Sequence, residues 1–189
     1  TDGRNLLQLA FGGGRFVAIG TQGAALASTD GIAWRTAATN TTEALRHLAF
    51  GNGRWLAATS AGQIYSSDDG ETWTLRAVAP DSISQLAFGA GLFVAASSAT
   101  VGTVLTSPDG ETWTRRETAT PRPTVSFTSL QYTSDGFLAT SGSSAAPILR
   151  STDGLAWSAT TIFTPTLASV PTGIAFGNNR YVMTASAPD

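Results

Sequence analysis

The side chains best suited to chemistry in this chain recur at fixed intervals. Ser28, Asp30, Gly31 and Trp34 form a Ser-x-Asp-Gly-x-x-Trp motif that returns as Ser67, Asp69, Gly70 and Trp73. It returns again as Ser107, Asp109, Gly110 and Trp113, and as Ser151, Asp153, Gly154 and Trp157. Hydrolysis of a glycoside needs two carboxylates facing each other across a cleft. The chain has 13 acidic residues, many of them in these repeated turns. Of the others, Glu43, Glu71, Glu111 and Glu117 stand out, but Glu71 and Glu111 occupy equivalent positions of successive units, whereas a catalytic pair breaks repeat symmetry. The one histidine, His47, aligns with Gln8 and Gln85 and so reads as a polar position of a strand. A metal site needs further His or a tight carboxylate cluster, and the repeated Asp residues lie one unit apart. No cysteine offers a thiolate or a disulfide. Gly12-Gly13-Gly14 belongs to a repeated turn with no helix after it, which excludes a phosphate loop. No catalytic residue, metal or cofactor is assigned.

The elements that position these residues form a repeat. Its first landmark reads LAFGGGRF, LAFGNGRW, LAFGAGLF, LQYTSDGF and IAFGNNRY. The leading aromatics are Phe11, Phe50, Phe88, Tyr132 and Phe176, spaced 39, 38, 44 and 44 residues apart, and a second aromatic follows five residues after each. The motif tryptophans keep step at 39, 40 and 44. Each unit divides into four short strands, in the second unit about 44–50, 54–58, 63–67 and 72–76. They are rich in apolar, β-branched and aromatic residues and separated by Gly, Asn and Asp, which accept the turn conformations of hairpins. No window sustains a helical period. Repeated four-stranded antiparallel units of this length predict a β-propeller. The expectation is an all-β fold of four complete blades plus a two-stranded half blade, five-bladed if closed. It forms one domain over residues 1–189, with units at about 5–43, 44–81, 82–124, 125–166 and 167–189.

Net charge is −2, and Arg115-Arg116 is the one basic cluster, so no electrostatic footprint for nucleic acid is present. No apolar run approaches a membrane span.

The repeat resembles the Asp-box (BNR) repeat of the sialidase-like propellers. The family pattern, Ser/Thr-x-Asp-x-Gly-x-Thr-Trp, is met in full by the second copy, as Ser66, Asp68, Gly70, Thr72 and Trp73; the other copies carry the shorter form. The resemblance implies a structural box in the turn between the third and fourth strands of each blade, with the Asp bonding turn amides and the Trp packing against neighbouring strands. Sialidase members also carry Arg-Ile-Pro, an arginine cluster, a Tyr/Glu pair and an acidic acid/base. This chain has no Arg-Ile-Pro, and Pro121-Arg122-Pro123 reads as a rigid loop. The family hosts many functions on one fold. The expectation is therefore a non-catalytic binding or scaffold propeller, exported from a bacterium to the cell surface or beyond. It would contact a protein or a glycan through its loop faces. A glycosidase or sialidase relative and a structural subunit are the alternatives.

Positions that break the repeat are the leads for a ligand. Connections 118–125, 141–147 and 161–171 are long, and Arg122, Gln131 and Tyr132 depart from the pattern nearby. Gln8, His47 and Gln85 are expected to point a polar ring toward the channel. Counting from Tyr181 puts a fifth motif Asp at 195–197. The strand near 181–185 is thus expected to have an unpaired edge open to self-association. A five-bladed ring with a two-stranded last blade, a fragment of a larger ring, and an edge covered by another chain all remain open.

Overall fold

The computed structural model describes residues 3–98, 102–118, 127–141, 148–160, 170–178 and 180–186. The first blade is β1 (Leu6–Gly12), β2 (Arg15–Gly20), β3 (Ala25–Ser28) and β4 (Arg35–Thr36). The second is β5 (His47–Gly51), β6 (Arg54–Ala58), β7 (Gln63–Ser67) and β8 (Thr74–Val78). The third is β9 (Ile83–Gly89), β10 (Leu92–Ser97), β11 (Thr103–Ser107) and β12 (Thr114–Glu117). The fourth is β13 (Phe127–Thr133), β14 (Gly136–Ser141), β15 (Ile148–Ser151) and β16 (Ser158–Thr160). A two-stranded sheet follows, β17 (Val170–Gly177) and β18 (Arg180–Ser186). Each four-stranded sheet is an antiparallel meander in chain order. Among the described residues β18 pairs with β17 alone. First strands of successive blades lie side by side, β1 on β5, β5 on β9, β9 on β13 and β13 on β17, so the blades radiate from them as in a propeller.

The middle strands of the second unit fall where the residue types place them. The outer two are displaced because their ends bond a neighbouring blade. The Leu45 amide donates to the Gly20 carbonyl, so β5 begins at His47 rather than Ala44. The Trp73 amide donates to the Ala38 carbonyl and the Ala38 amide to the Glu71 carbonyl. That parallel bridge between blades delays β8 to Thr74.

Alternation along β6 explains why it is apolar from Trp55 to Ala58. Trp55 and Ala57 face the first blade, in a core with Val17, Ile19, Ala25 and Ala27. Leu56 and Ala58 face the third blade and meet Ile83, Leu86, Phe93, Ala95 and Leu105. A strand with both faces covered has no polar side to present. The same arrangement buries Val94 and Ala96 against Phe137, Ala139 and Leu149 of the fourth blade. A large side chain buried this way contributes roughly 1.5–3 kcal/mol.

The five-residue aromatic interval is a cross-strand pair. Phe50 sits directly opposite Trp55 across a two-residue loop, Asn52-Gly53, whose residues have φ of 48° and 76°. That loop conformation matches the twist of the flanking strands and needs residues tolerant of positive φ. The paired rings are 4.6–4.9 Å apart in all five blades.

Candidate functional site

The repeated motif lies in the turn between the third and fourth strands of each complete blade and is wired alike in all four. In the third blade the Ser107 hydroxyl donates to Asp109 Oδ1 at 2.9 Å and accepts the Gly110 amide at 2.7 Å. Asp109 Oδ1 also accepts the amides of Glu111 and Thr112, at 2.8 and 2.9 Å. Gly110 has φ of 80°, a conformation that side chains resist. Its carbonyl accepts Trp113 Nε1 at 3.1 Å, which fixes the ring. Asp30, Asp69 and Asp153 bond the amides of Ile32 and Ala33, of Glu71 and Thr72, and of Leu155 and Ala156. Amides donated to the carboxylate hold all four acids below the ordinary Asp value: first those of Ile32, Thr72, Thr112 and Ala156, then the second amide and the serine hydroxyl. The acids are therefore ionised turn acceptors with one oxygen engaged by backbone.

In the second copy the residues in this role are Ser67 and Asp69. Ser66 and Asp68, which match the family pattern in full, do something else. Ser66 accepts Arg76 Nε at 3.0 Å, and the exposed Asp68 carboxylate lies 3.8 Å from Arg54.

Glu71 and Glu111 recur for a reason not read from the sequence: each pairs with an arginine of the preceding blade's first hairpin. Arg15 reaches Glu71 at 3.3 Å and also bonds the Asp69 carbonyl. Arg54 reaches Glu111 at 3.5 Å and the Asp109 carbonyl at 3.4 Å. The signal was present in the sequence, because the next unit changes both partners' positions together, to Leu92 and Leu155. Asp81 pairs with Arg115, and Asp135 with Arg150 at 3.5 Å while also accepting the Tyr181 hydroxyl.

The five candidate ligand residues that the structure describes do not converge on one site. Alternation places Gln8 on the same side of β1 as Ala10, which packs toward the second blade. There the Gln8 amide accepts the Leu48 N–H at 2.8 Å and donates to the Leu48 carbonyl at 3.4 Å. Gln85 donates to the Thr128 carbonyl at 3.0 Å, and Gln131 to the Ile174 carbonyl. His47 is half-buried, and desolvation, with Arg46 nearby, lowers its pKa to about 4 against the opposing pull of the Ile83 carbonyl. The side chains of Gln8, Gln85 and Gln131 thus tie the first strand of one blade to the first strand of the next. Tyr132 keeps an exposed edge while its ring covers Gly89 of the preceding blade and meets Phe137 edge to face. Arg122 lies outside the described residues, as do 119–126, 142–147 and 161–169 of the long connections. Among the described residues no three or more of His, Cys, Asp and Glu gather where they could hold a metal ion. Among the described residues no helix is long and apolar enough to cross a membrane.

Comparison with solved structures places this architecture among β-propellers. YCF48 bound to a D1 peptide matches with a TM-score of 0.71 at 16% identity, over 97% of this chain and 62% of that one. An ancestral GH74 enzyme matches with a TM-score of 0.67 at 16% identity, over 95% of this chain and 27% of that one. Virginiamycin B lyase from Staphylococcus aureus matches with a TM-score of 0.71 at 13% identity, over 90% and 60%. The chain thus spans less than two thirds of the length of each of these three. No protein-family model matches the chain, and no curated protein matches it. The likeness is one of fold, and the propellers that share it include both enzymes and a peptide-binding protein.

Proposed function

We propose that this chain is part of a non-catalytic binding or scaffold propeller that holds a protein segment on its loop faces. The repeated turn is read as a short form of the Asp-box of sialidase-like propellers, a blade-building device. The observation that carries this reading is the use made of the carboxylates. Asp30, Asp69, Asp109 and Asp153 each bond two amides of their own turn. Glu71, Glu111, Asp81 and Asp135 are held by arginines. Acid–base chemistry on a glycoside needs two carboxyl groups facing one cleft, one of them kept protonated, whereas the motif acids are held ionised. The peptide-bound YCF48 structure supports a protein segment as the ligand class.

Peptide and glycan arrays probed with the intact chain test this. Retention of a defined set of peptides is expected. A glycan spectrum without peptide binding would replace the ligand class. Turnover of an aryl glycoside that vanishes on mutation of one carboxylate, with the fold intact, would overturn the non-catalytic reading.

A further inference from the structure

Among the described residues, the incoming face of each later blade is closed, and that of the first is open. In the second blade Leu48, Trp55, Ala57, Tyr65 and Trp73 form this face and are buried against the first. Leu86, Phe93, Ala95 and Leu105 do the same in the third, with Trp113 partly buried beside them, and Leu130, Phe137, Ala139, Leu149 and Trp157 in the fourth. The equivalent residues of the first blade are Leu9, Phe16, Ala18, Leu26 and Trp34. Leu9 is 58% exposed and Trp34 37%, against 3% for Leu48 and 1% for Trp73. Around them lies a shallow, largely apolar depression of about 390 Å³ bordered by Leu6, Leu7, Leu9, Leu26 and Trp34. An apolar face of this kind, whose counterparts in the next three blades are almost wholly buried, is an interface without its partner.

Two further residues specify that partner. The rings of Phe50, Phe88 and Tyr132 each cover a glycine at the end of the preceding blade's first strand, Gly12, Gly51 and Gly89, where a side chain would overlap the ring. Phe11, their counterpart, is 62% exposed. Ile32 occupies the position of Glu71, Glu111 and Leu155 and is 86% exposed. The facing residue of the preceding hairpin is Arg15 opposite Glu71 and Arg54 opposite Glu111; Leu92 holds that place ahead of Leu155. An isoleucine here calls for an apolar partner. The fifth sheet brings Arg180 to that place. A second copy docked head to tail would set a guanidinium on Ile32 with no carboxylate to receive it.

We infer that the open face of the first blade takes a further propeller blade from outside these 189 residues, and not the fifth sheet of a second copy. That blade ends its first strand in glycine, presents small aliphatic residues from its second and third strands, and carries an apolar residue in its first hairpin. The longer solved propellers, of which this chain spans 62% in the case of YCF48, agree with blades beyond these.

Two experiments test this. In the unextended chain, a Thr29→Cys/Asn178→Cys variant, at the places where Asn52 meets Pro108 one blade on and with Ile32 and Arg180 left intact, is expected to form no more interchain disulfide under mild oxidation than either single variant. Efficient disulfide-linked dimers or higher species would make a second copy the occupant and overturn the inference. In the second experiment a copy of residues 82–124, which brings Gly89 and Leu92, is joined ahead of Arg4. Acrylamide quenching of Trp34, read in chains where Trp113 and the tryptophans of the graft are replaced by Phe, is expected to fall several-fold, to the level of a buried tryptophan. A copy of residues 44–81, which brings Arg54, is expected to protect Trp34 less, and Ile32→Glu should reverse that order. Equal protection by both grafts regardless of Ile32→Glu, or protection by neither in folded chimeras, would overturn the inference. If a graft fails to fold, the cysteine pair in the unextended chain still decides against or for a second copy.

Discussion

The Phe88 ring of the third blade lies on Gly51 of the second, in the space a side chain at position 51 would occupy. Gly51 has no need of an unusual backbone conformation, since its φ is not positive; its role is the close approach itself. The same contact joins Gly12 to Phe50 and Gly89 to Tyr132, so one small residue per blade lets the next blade close in.

Gly51→Ala is therefore expected to destabilise the chain by about 1–3 kcal/mol, the usual range for overpacking a filled site. Phe88→Leu should recover part of that loss in the double variant. Denaturant midpoints of the single and double variants measure both effects, and additivity of the two would contradict the contact.

Trp73 and Trp34 hold equivalent positions with unequal surroundings. Trp73 is buried and Trp34 is half out. Trp73→Ala is expected to cost about 3–5 kcal/mol and Trp34→Ala well under half of that. Unfolding followed by far-ultraviolet circular dichroism separates them; equal losses would contradict the packing asymmetry.

Arg54 and Glu111 tie the second blade to the third near the surface. Their side chains are 30% and 48% exposed, so a double-mutant cycle should give a coupling below about 1 kcal/mol. The coupling should shrink between low and high salt. A coupling that is large and insensitive to salt would mean the pair is more enclosed than the geometry indicates.

His47 supplies a pH dependence of defined sign. Its pKa is about 4 in the fold and 6.5 when unfolded. Between those values the unfolded chain holds the extra proton, so stability rises with pH across that window and is level above it. The effect is at most about 3 kcal/mol at roughly 1.4 kcal/mol per pKa unit. The motif acids act lower: their pKa values are depressed below 3.8, so their contribution is complete above that value and is lost as pH falls through the folded values. His47→Gln should flatten the pH 4–6.5 slope while leaving the acid limb. Midpoints measured from pH 3 to 8 check this.

The sequence reading is strong where a feature repeats. The Phe50–Trp55 interval, the Asn52-Gly53 loop and strands β6 and β7 all follow from residue types whose preference is local. It is weaker where a side chain chooses between two blades and the channel. Gln8 is such a case: its parity with Ala10 sets it on the side facing the second blade, where it bonds Leu48. Arg15 and Glu71 lie more than fifty residues apart, and neither is unusual for a surface strand or turn. Only the paired change to Leu92 and Leu155 hints that they belong together. The second motif offers two overlapping acids, Asp68 and Asp69, and only backbone geometry selects Asp69.

The central claim is that the repeated carboxylates build turns. It is tested most directly by equilibrium unfolding of Asp109→Ala beside Asp109→Asn at neutral pH. Asp109→Ala removes the acceptor of the Glu111 and Thr112 amides and is expected to lower stability by about 1–2 kcal/mol. Asp109→Asn keeps an acceptor oxygen and should lose clearly less. An Asp109→Ala chain that unfolds at the midpoint of the unaltered protein would contradict the account and leave that carboxylate free for other chemistry.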